Sequence, residues 1–265
     1  MNLFVYDGTF EGLLCCVFES YERKQIPEKV VSTQLLSHGL FDFEISITTE
    51  SQKAARVWKS LQNKLSPYNK QLPFHAFLYG KEEIDQTIFN FIRFVFDTPP
   101  DVDRDYANPD VLRIKQIKRK VTIEAMRTIQ FVRFQKTADN IYFAALSPDF
   151  DVLPLATQHF LDRYKDQQWI IYDLKRDYGI YYDLNDVKEI TLDTKQFSLL
   201  TGGINDHVME EGEASYQAYW QQYVKAVTIR ERLNLKQQLR SMPRRYWKYL
   251  PEMKKKNNHL KSKNN

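Results

Sequence analysis

The sequence lacks the thiols, glycines and long apolar runs that mark several large protein classes. It has two cysteines in 265 residues, the neighbours Cys15 and Cys16. Two adjacent thiols are too few to hold a zinc ion or an iron–sulfur cluster, and vicinal pairs rarely make structural disulfides. A reducing, cytoplasmic setting is therefore expected. Only eight glycines are present, which excludes collagen-like and glycine-rich flexible chains. No apolar run approaches the roughly 18 residues of a membrane span. The first apolar stretch, Leu3 to Phe18, is broken by Asp7, Gly8 and Glu11 and follows no basic stretch, so it does not read as a secretory leader. Missing too are the G-x-G-x-x-G and Gly-Lys-Ser/Thr phosphate loops, the H-E-x-x-H metal helix and the G-x-S-x-G elbow. The five histidines (His38, His75, His159, His207, His259) are scattered singly, so neither a metal nor a cofactor is expected. Thr201-Gly202-Gly203 reads as a simple turn.

What is present is a globular composition, 43% hydrophobic and 14% aromatic, with 16 Tyr and 17 Phe. The length suits one large domain or two small ones. Net charge is +4, unevenly spread: residues 225–265 carry 13 Lys/Arg against two acidic residues, Glu231 and Glu252, which leaves the rest of the chain net acidic. A basic end on an acidic body suggests contact with a polyanion. The last stretch, 253–265, is polar and Asn-rich and reads as a disordered basic tail.

Hydrophobic periodicity outlines the elements. Leu3–Tyr6 reads as a strand, Asp7-Gly8-Thr9 as a turn with Thr9 capping a helix through Leu13, Leu14, Val17, Phe18 and Tyr21. Phe43–Thr48 alternates like a strand before a helix with Ala54, Val57, Trp58, Leu61 and Leu65 on one face. Glu82–Phe96 reads as a third helix, stopped by Pro99-Pro100, and 97–109 as a linker. Pro109–Met126 is a fourth, basic helix. Strands follow at Ile129–Phe134, Ile141–Leu146, Trp169–Leu174, Gly179–Tyr182 and Val187–Leu192, with a helix Leu155–Tyr164 between the second and third. From Gly212 the chain is helical, with an aromatic stripe Tyr216, Trp220, Tyr223 and Val227 that reads as core before it reads as a docking face. The expected fold class is α+β: a mixed or antiparallel sheet packed with helices, and a helical C-terminal segment. A single domain is expected over 3–252, with sub-parts 1–98, 109–195 and 212–252.

Three groups of residues could carry chemistry. Asp7 and Glu11 flank a strand-to-helix turn; either Asp7 and Thr9 only satisfy backbone donors there, or the two carboxylates act in catalysis. Glu124 and Arg127 precede Phe131-Val132-Arg133-Phe134, in which Arg133 would face away from both rings, free for nucleic acid or paired with Glu124. His159 and Arg163 share a helix face, and Asp173 and Arg176 end the next strand. The four would converge on a phosphate or base edge, or form a buried ion network.

Several stretches, taken together and in order, resemble the probable DNA metabolism protein family of bacteria. They are Tyr6-Asp7-Gly8-Thr9-Phe10-Glu11-Gly12, Glu124 and Arg127 before Phe131–Phe134, His159-Phe160 with Arg163, Trp169–Asp173 with Arg176, Arg232-Leu233-Asn234, and Met242-Pro243-Arg244-Arg245-Tyr246-Trp247. The resemblance spans about residues 3–252. Where that family's pattern has a His-Arg pair near Glu124, this chain has Met126-Arg127. The resemblance implies a DNA-binding or DNA-processing accessory protein working in DNA repair or modification with a separate radical S-adenosylmethionine protein. A related domain is fused to uracil-DNA glycosylase-like proteins. On that reading Arg127, Arg133, Arg163, Arg176, Arg232, Arg244, Arg245, Trp247 and Lys248 contact nucleic acid. The alternatives are a hydrolytic, glycosylase-like or nuclease-like enzyme using Asp7, Glu11, Glu124, His159 and Asp173, and a scaffold that binds only protein.

Overall fold

The computed structural model describes residues 2–36, 43–81, 84–99, 102–193 and 195–253. The basic tail beyond Met253, His38, His259, Glu82 at the expected helix start and Pro100 at its expected stop lie outside the described residues. The fold is α+β and divides into two compact units, 1–122 and 123–265.

In the first unit, β1 (Asn2–Tyr6) lies between β2 (Lys29–Ser32) and β3 (Phe43–Ser46), and all three run parallel. A central parallel strand is covered on both faces and so reads as an unbroken apolar run; Leu3-Phe4-Val5-Tyr6 is buried throughout. Helices α1 (Phe10–Glu22), α2 (Ser51–Lys64), α3 (Leu72–Phe77) and α4 (Ile84–Asp97) complete the unit. Strand β2 has no counterpart in the sequence reading, because four residues after a polar stretch leave too short a period to detect. The turn after β1 forms as expected. Gly8 sits at φ +83, and the Thr9 hydroxyl accepts from the Gly12 amide at 3.0 Å to cap α1. Gly12 has no room for a side chain: an added Cβ would lie 2.4 Å from the Asp7 carboxylate and 2.9 Å from the Tyr6 ring.

The stretch 97–109 does not behave as a free linker. Asp103, only 1% exposed, accepts from the Ser66 hydroxyl and the Asn69 amide, each at 2.6 Å. One buried carboxylate met by such donors pins the segment.

The boundary between the units falls within α5 (Pro109–Phe131). The expected strand at Ile129–Phe134 is a correction: α5 runs on to Phe131, and the Val132 amide still donates to the Thr128 carbonyl at 3.0 Å. Ala125, Thr128 and Ile129 fall on one helical stripe, and the β-branched and aromatic content of 129–134 imitated a strand. The second unit then carries β4 (Gln135–Lys136), β5 (Tyr142–Leu146), α6 (Leu153–Arg163), β6 (Trp169–Asp173), β7 (Tyr178–Tyr182), β8 (Val187–Ile190), α7 (Glu213–Val227), α8 (Leu235–Ser241) and α9 (Arg244–Trp247).

Its sheet has the order β4-β5-β6-β7-β8, with β5 and β6 parallel and every other pair antiparallel. Both faces are covered. Trp169 and Ile171 pack with Leu153, Ala156 and Phe160 of α6, while Tyr172 packs with Phe143, Phe197 and Ile204. That explains why Trp169-Ile170-Ile171-Tyr172 is apolar without alternation. Because β5 and β6 are parallel, α6 must run back along the sheet. It starts beside the carboxyl end of β5 and finishes near the amino end of β6.

Candidate nucleic-acid interface

The carboxyl ends of β5 and β6 carry an ion network built around Glu124 of α5. Glu124 is 1% exposed. Its Oε1 accepts the Asp149 amide at 2.9 Å. Its Oε2 pairs with the Arg245 guanidinium, and with that of Arg127 at a longer 3.7 Å. Arg245 also meets the Asp149 carboxylate at 3.1 Å. Across the same loop, Asp173 is fully buried and accepts from Arg176 at 2.6 Å and from the Lys175 amide at 2.8 Å. The Arg176 guanidinium reaches on to the Pro148 and Asp149 carbonyls. Asp151 accepts from the Tyr178 hydroxyl. Burial pushes the Asp151 carboxyl above its ordinary range, against the opposing pull of Tyr178 and Arg176. Burial also pushes the Tyr246 phenol up, with Glu124 beside it adding to the shift.

The structure thus brings together Glu124, Arg127, Asp173, Arg176 and Arg245 of the residues singled out by sequence. It does not bring His159 and Arg163 to them. Both are exposed on α6, toward the end of the sheet opposite Asp173, and Arg163 leans over the Tyr164 ring. The expected four-residue pocket is therefore corrected: Asp173 and Arg176 have their own partners, and the return path of α6 carries the other two away. Asp149, Asp151, Tyr178 and Tyr246 belong to the network and were missed. They sit in loops or across strands, where no helical or strand spacing links them to Glu124.

A second assembly forms a groove of about 680 Å³ lined by Arg133, Phe134, Lys136, Tyr142, Tyr164, Glu210, Glu213, Tyr216 and Trp220 among others. Arg133 is not on a strand and does not pair with Glu124. It leaves the end of α5, donates to Glu252 at 3.0 Å and lies 5.8 Å over the Trp220 ring, whose Nε1 donates to the same Glu252 at 3.0 Å. Phe134 forms part of the wall, edge-on to Tyr142, Phe160 and Tyr164.

The third feature is exposure. Tyr216, Trp220 and Tyr223 are 68, 39 and 57% exposed, so the aromatic stripe of α7 is an outer face, contrary to the core role that periodicity favoured. Trp220 and Tyr223 stack at 5.6 Å. Beyond them Lys225, Arg230, Arg232, Lys236, Arg240, Arg244 and Lys248 all point outward. Trp247 is half-buried, its Nε1 donating to the Met242 carbonyl, with the Arg244 guanidinium 6.0 Å over its ring.

In the first unit, Asp7 accepts from the Thr9 amide and hydroxyl at 2.9 and 2.7 Å and from the Thr49 hydroxyl at 2.8 Å. These bonds hold its carboxyl below the ordinary range although burial opposes them. Glu11 accepts from Ser51 at 3.2 Å. The pair ties the β1–α1 and β3–α2 turns together at the carboxyl edge of the parallel sheet. Among the described residues no group of three or more His, Cys, Asp or Glu side chains is placed to hold a metal ion, and no helix is long and apolar enough to cross a membrane.

Fold and surface define an α+β protein whose second unit presents exposed aromatic rings on α7 followed along the chain by exposed cations. The chain belongs to the DUF4130 family, a domain of unknown function, which it matches over residues 82–252. No curated protein matches it. A solved pGpG-specific phosphodiesterase, PggH from Vibrio cholerae, aligns with 86% of this chain and 99% of its own at 11% identity. The TM-score of that alignment is 0.31.

Two predictions follow from the network. Glu124→Ala leaves the buried Asp149 amide without its acceptor and Arg245 with the Asp149 carboxylate alone, so it should cost roughly 1–3 kcal/mol in urea unfolding. A loss under about 1 kcal/mol, the scale of a surface ion pair, would contradict the network's role. For Asp151, a folded-state pKa raised above the ordinary 3.8 means that its contribution is fully present below that value and is lost as pH rises through the folded pKa. Asp151→Asn should therefore gain stability relative to the parent as pH climbs from about 4 to about 7. Melting curves showing a pH-independent difference, or the opposite trend, would contradict the assignment.

Proposed function

We propose that this protein is a DNA-binding or DNA-processing accessory protein that acts in DNA repair or modification, with a separate radical S-adenosylmethionine enzyme supplying the radical chemistry. One observation carries the DNA half of this reading: the exposed rings of α7 continue into a segment, 225–248, with eight Lys/Arg and a single acidic residue. Seven of those cations face solvent. Among the described residues, none of the seven is paired with a carboxylate. Cations track phosphates without regard to sequence, and open aromatic faces stack on unpaired bases. By contrast, Arg127, Arg176 and Arg245 already serve buried carboxylates and Arg133 serves Glu252, so they are poor phosphate ligands. The same pairing weighs against the hydrolase alternative, because Glu124 and Asp173 are held by arginines. The radical partner rests on the family resemblance and on the chain's two cysteines, one short of the three that a radical S-adenosylmethionine cluster uses.

Fluorescence anisotropy with single-stranded DNA should show binding that weakens steeply with salt. Replacing Arg240, Arg244 and Lys248 together by Ala should lower the log–log salt slope by roughly 2, at about 0.7 per lost phosphate contact. Arg163→Ala should leave it unchanged. No binding at low salt, or an unaltered slope in the triple variant, would refute the interface. The partner is tested separately by co-purification with the radical enzyme at physiological salt, with and without DNA. Absence of a complex in both cases would remove the accessory role and leave DNA binding standing.

A further inference from the structure

The groove beside α7 contains a carboxylate oxygen, Glu210 Oε2, that has no hydrogen-bond partner among the described residues. The Glu210 backbone is fixed: its amide donates to the Lys136 carbonyl at 3.0 Å, Ala138 bonds Val208 at 2.9 Å, and Thr137 bridges Met209. Its side chain lines the groove, yet Oε2 is shielded from solvent and has no hydrogen-bond partner. The neighbouring Glu213 is satisfied, by the Lys136 amide at 3.1 Å and by Gln217 at 3.0 Å. A buried acceptor without a donor is costly, and such atoms often mark the place of an absent ligand. The turn is closely lined there: a Cβ on Gly212 would sit 3.3 Å from Glu210 Oε2 and 3.4 Å from the Tyr216 ring, so a side chain at this position would press on both the carboxylate and the ring.

We propose that this groove binds a guanine base, its Watson–Crick edge donating to Glu210 and its face resting on the ring of Tyr216. This rests on the nucleic-acid reading above and adds to it a base preference. A carboxylate offers two acceptors and no donor. Guanine alone among the common bases presents two adjacent donors on that edge, N1–H and the 2-amino group. Adenine and cytosine set a ring-nitrogen acceptor beside their amino group, and thymine flanks its one N–H with carbonyls, so each would face Glu210 with a repelling lone pair. An arginine side chain also offers paired donors. Arg133 is already held by Glu252, but Lys136 lines the same wall and seven outward cations follow along the chain, so the surroundings disfavour a guanidinium ligand. Those charges attract a phosphate and repel a guanidinium. The volume of about 680 Å³ lies within the usual range for a small-molecule site.

The guanine can come from single-stranded DNA or from a free nucleotide, and two sets of titrations separate these sources. In calorimetry with mononucleotides, 5′-GMP should bind roughly tenfold more tightly than 5′-IMP, which lacks only the 2-amino donor, as for loss of part of a bidentate contact. AMP, CMP and UMP should bind no better than IMP. Glu210→Gln should bring GMP and IMP within about twofold of each other. Gly212→Ala should weaken GMP; with Gly212 at φ −82 an alanine fits the backbone, and an unchanged melting temperature confirms the fold. In anisotropy, an oligo-dT carrying one central dG should bind more tightly than oligo-dT alone if DNA is the source. A GMP preference without that gain assigns the groove to free guanine nucleotides. The proposal is overturned if GMP, IMP and AMP bind alike or not at all, if Glu210→Gln keeps the preference, or if argininamide binds in place of GMP. Salt-sensitive binding of oligo-dT with no guanine preference would overturn the groove assignment while leaving the DNA interface intact.

Discussion

A carboxylate taken almost wholly out of water has to be met by donors, and Glu124 gathers them from distant parts of the chain. The Asp149 amide comes from the loop after β5, Arg245 from the short α9, and Arg127 from the next turn of α5. Removing Arg245, its nearest cation, leaves that buried charge poorly compensated, the expensive case, whereas the intact set is only modestly favourable. The network therefore acts mainly to specify position. It sets α5, the β5 loop and α9 against one another, and through Asp149 it reaches the Asp173–Arg176 pair at the end of β6.

Two groups of basic residues in the second unit differ in their pairing. Arg127, Arg133, Arg176 and Arg245 are bound to carboxylates within the fold. Those from Lys225 to Lys248, Arg245 excepted, face outward with rings alongside. A count of positive charge alone would put both groups in a DNA site, and only the pairing separates them. The anchoring of α9 by Arg245 also explains how the neighbouring Arg244 and Lys248 can be displayed on a short helix: one arginine fixes the helix and leaves the others to solvent.

Much of the fold was legible because its signals are local. The apolar run of β1, the Thr9 cap, the stripe of α4 and the four later strands all follow from spacing and turn chemistry within a few residues. The failures have local causes as well. Residues 129–134 combine β-branched and aromatic side chains with a helical stripe, and tertiary packing settled the matter in favour of helix. The α7 stripe has the periodicity of a core face, and the sequence holds no sign that its rings are exposed. The candidate site was legible only in part. Glu124, Asp173, Arg176 and Arg245 stand out as chemistry-bearing residues, but their partners Asp149, Asp151 and Tyr178 come from loops and cross-strand neighbours that spacing does not connect. His159 and Arg163 were grouped with Asp173 on the assumption that helix and strand ends meet, whereas a helix joining parallel strands must return to the other end of the sheet. Glu210 had no local signal, since its meaning lies in the absence of a partner in three dimensions.

The groove and the exposed rings both involve α7, so on the proposed reading base recognition and phosphate contact fall in the same part of the second unit. The central claim is that this surface is where nucleic acid binds. Photocrosslinking of a 5-iodouracil-substituted single-stranded oligonucleotide, with the attached peptides mapped by mass spectrometry, tests it most directly. The account predicts adducts on Tyr216, Trp220 or Tyr223 that disappear in high salt. Adducts confined to other aromatic residues, such as Tyr68 or Tyr106 of the first unit, would contradict it.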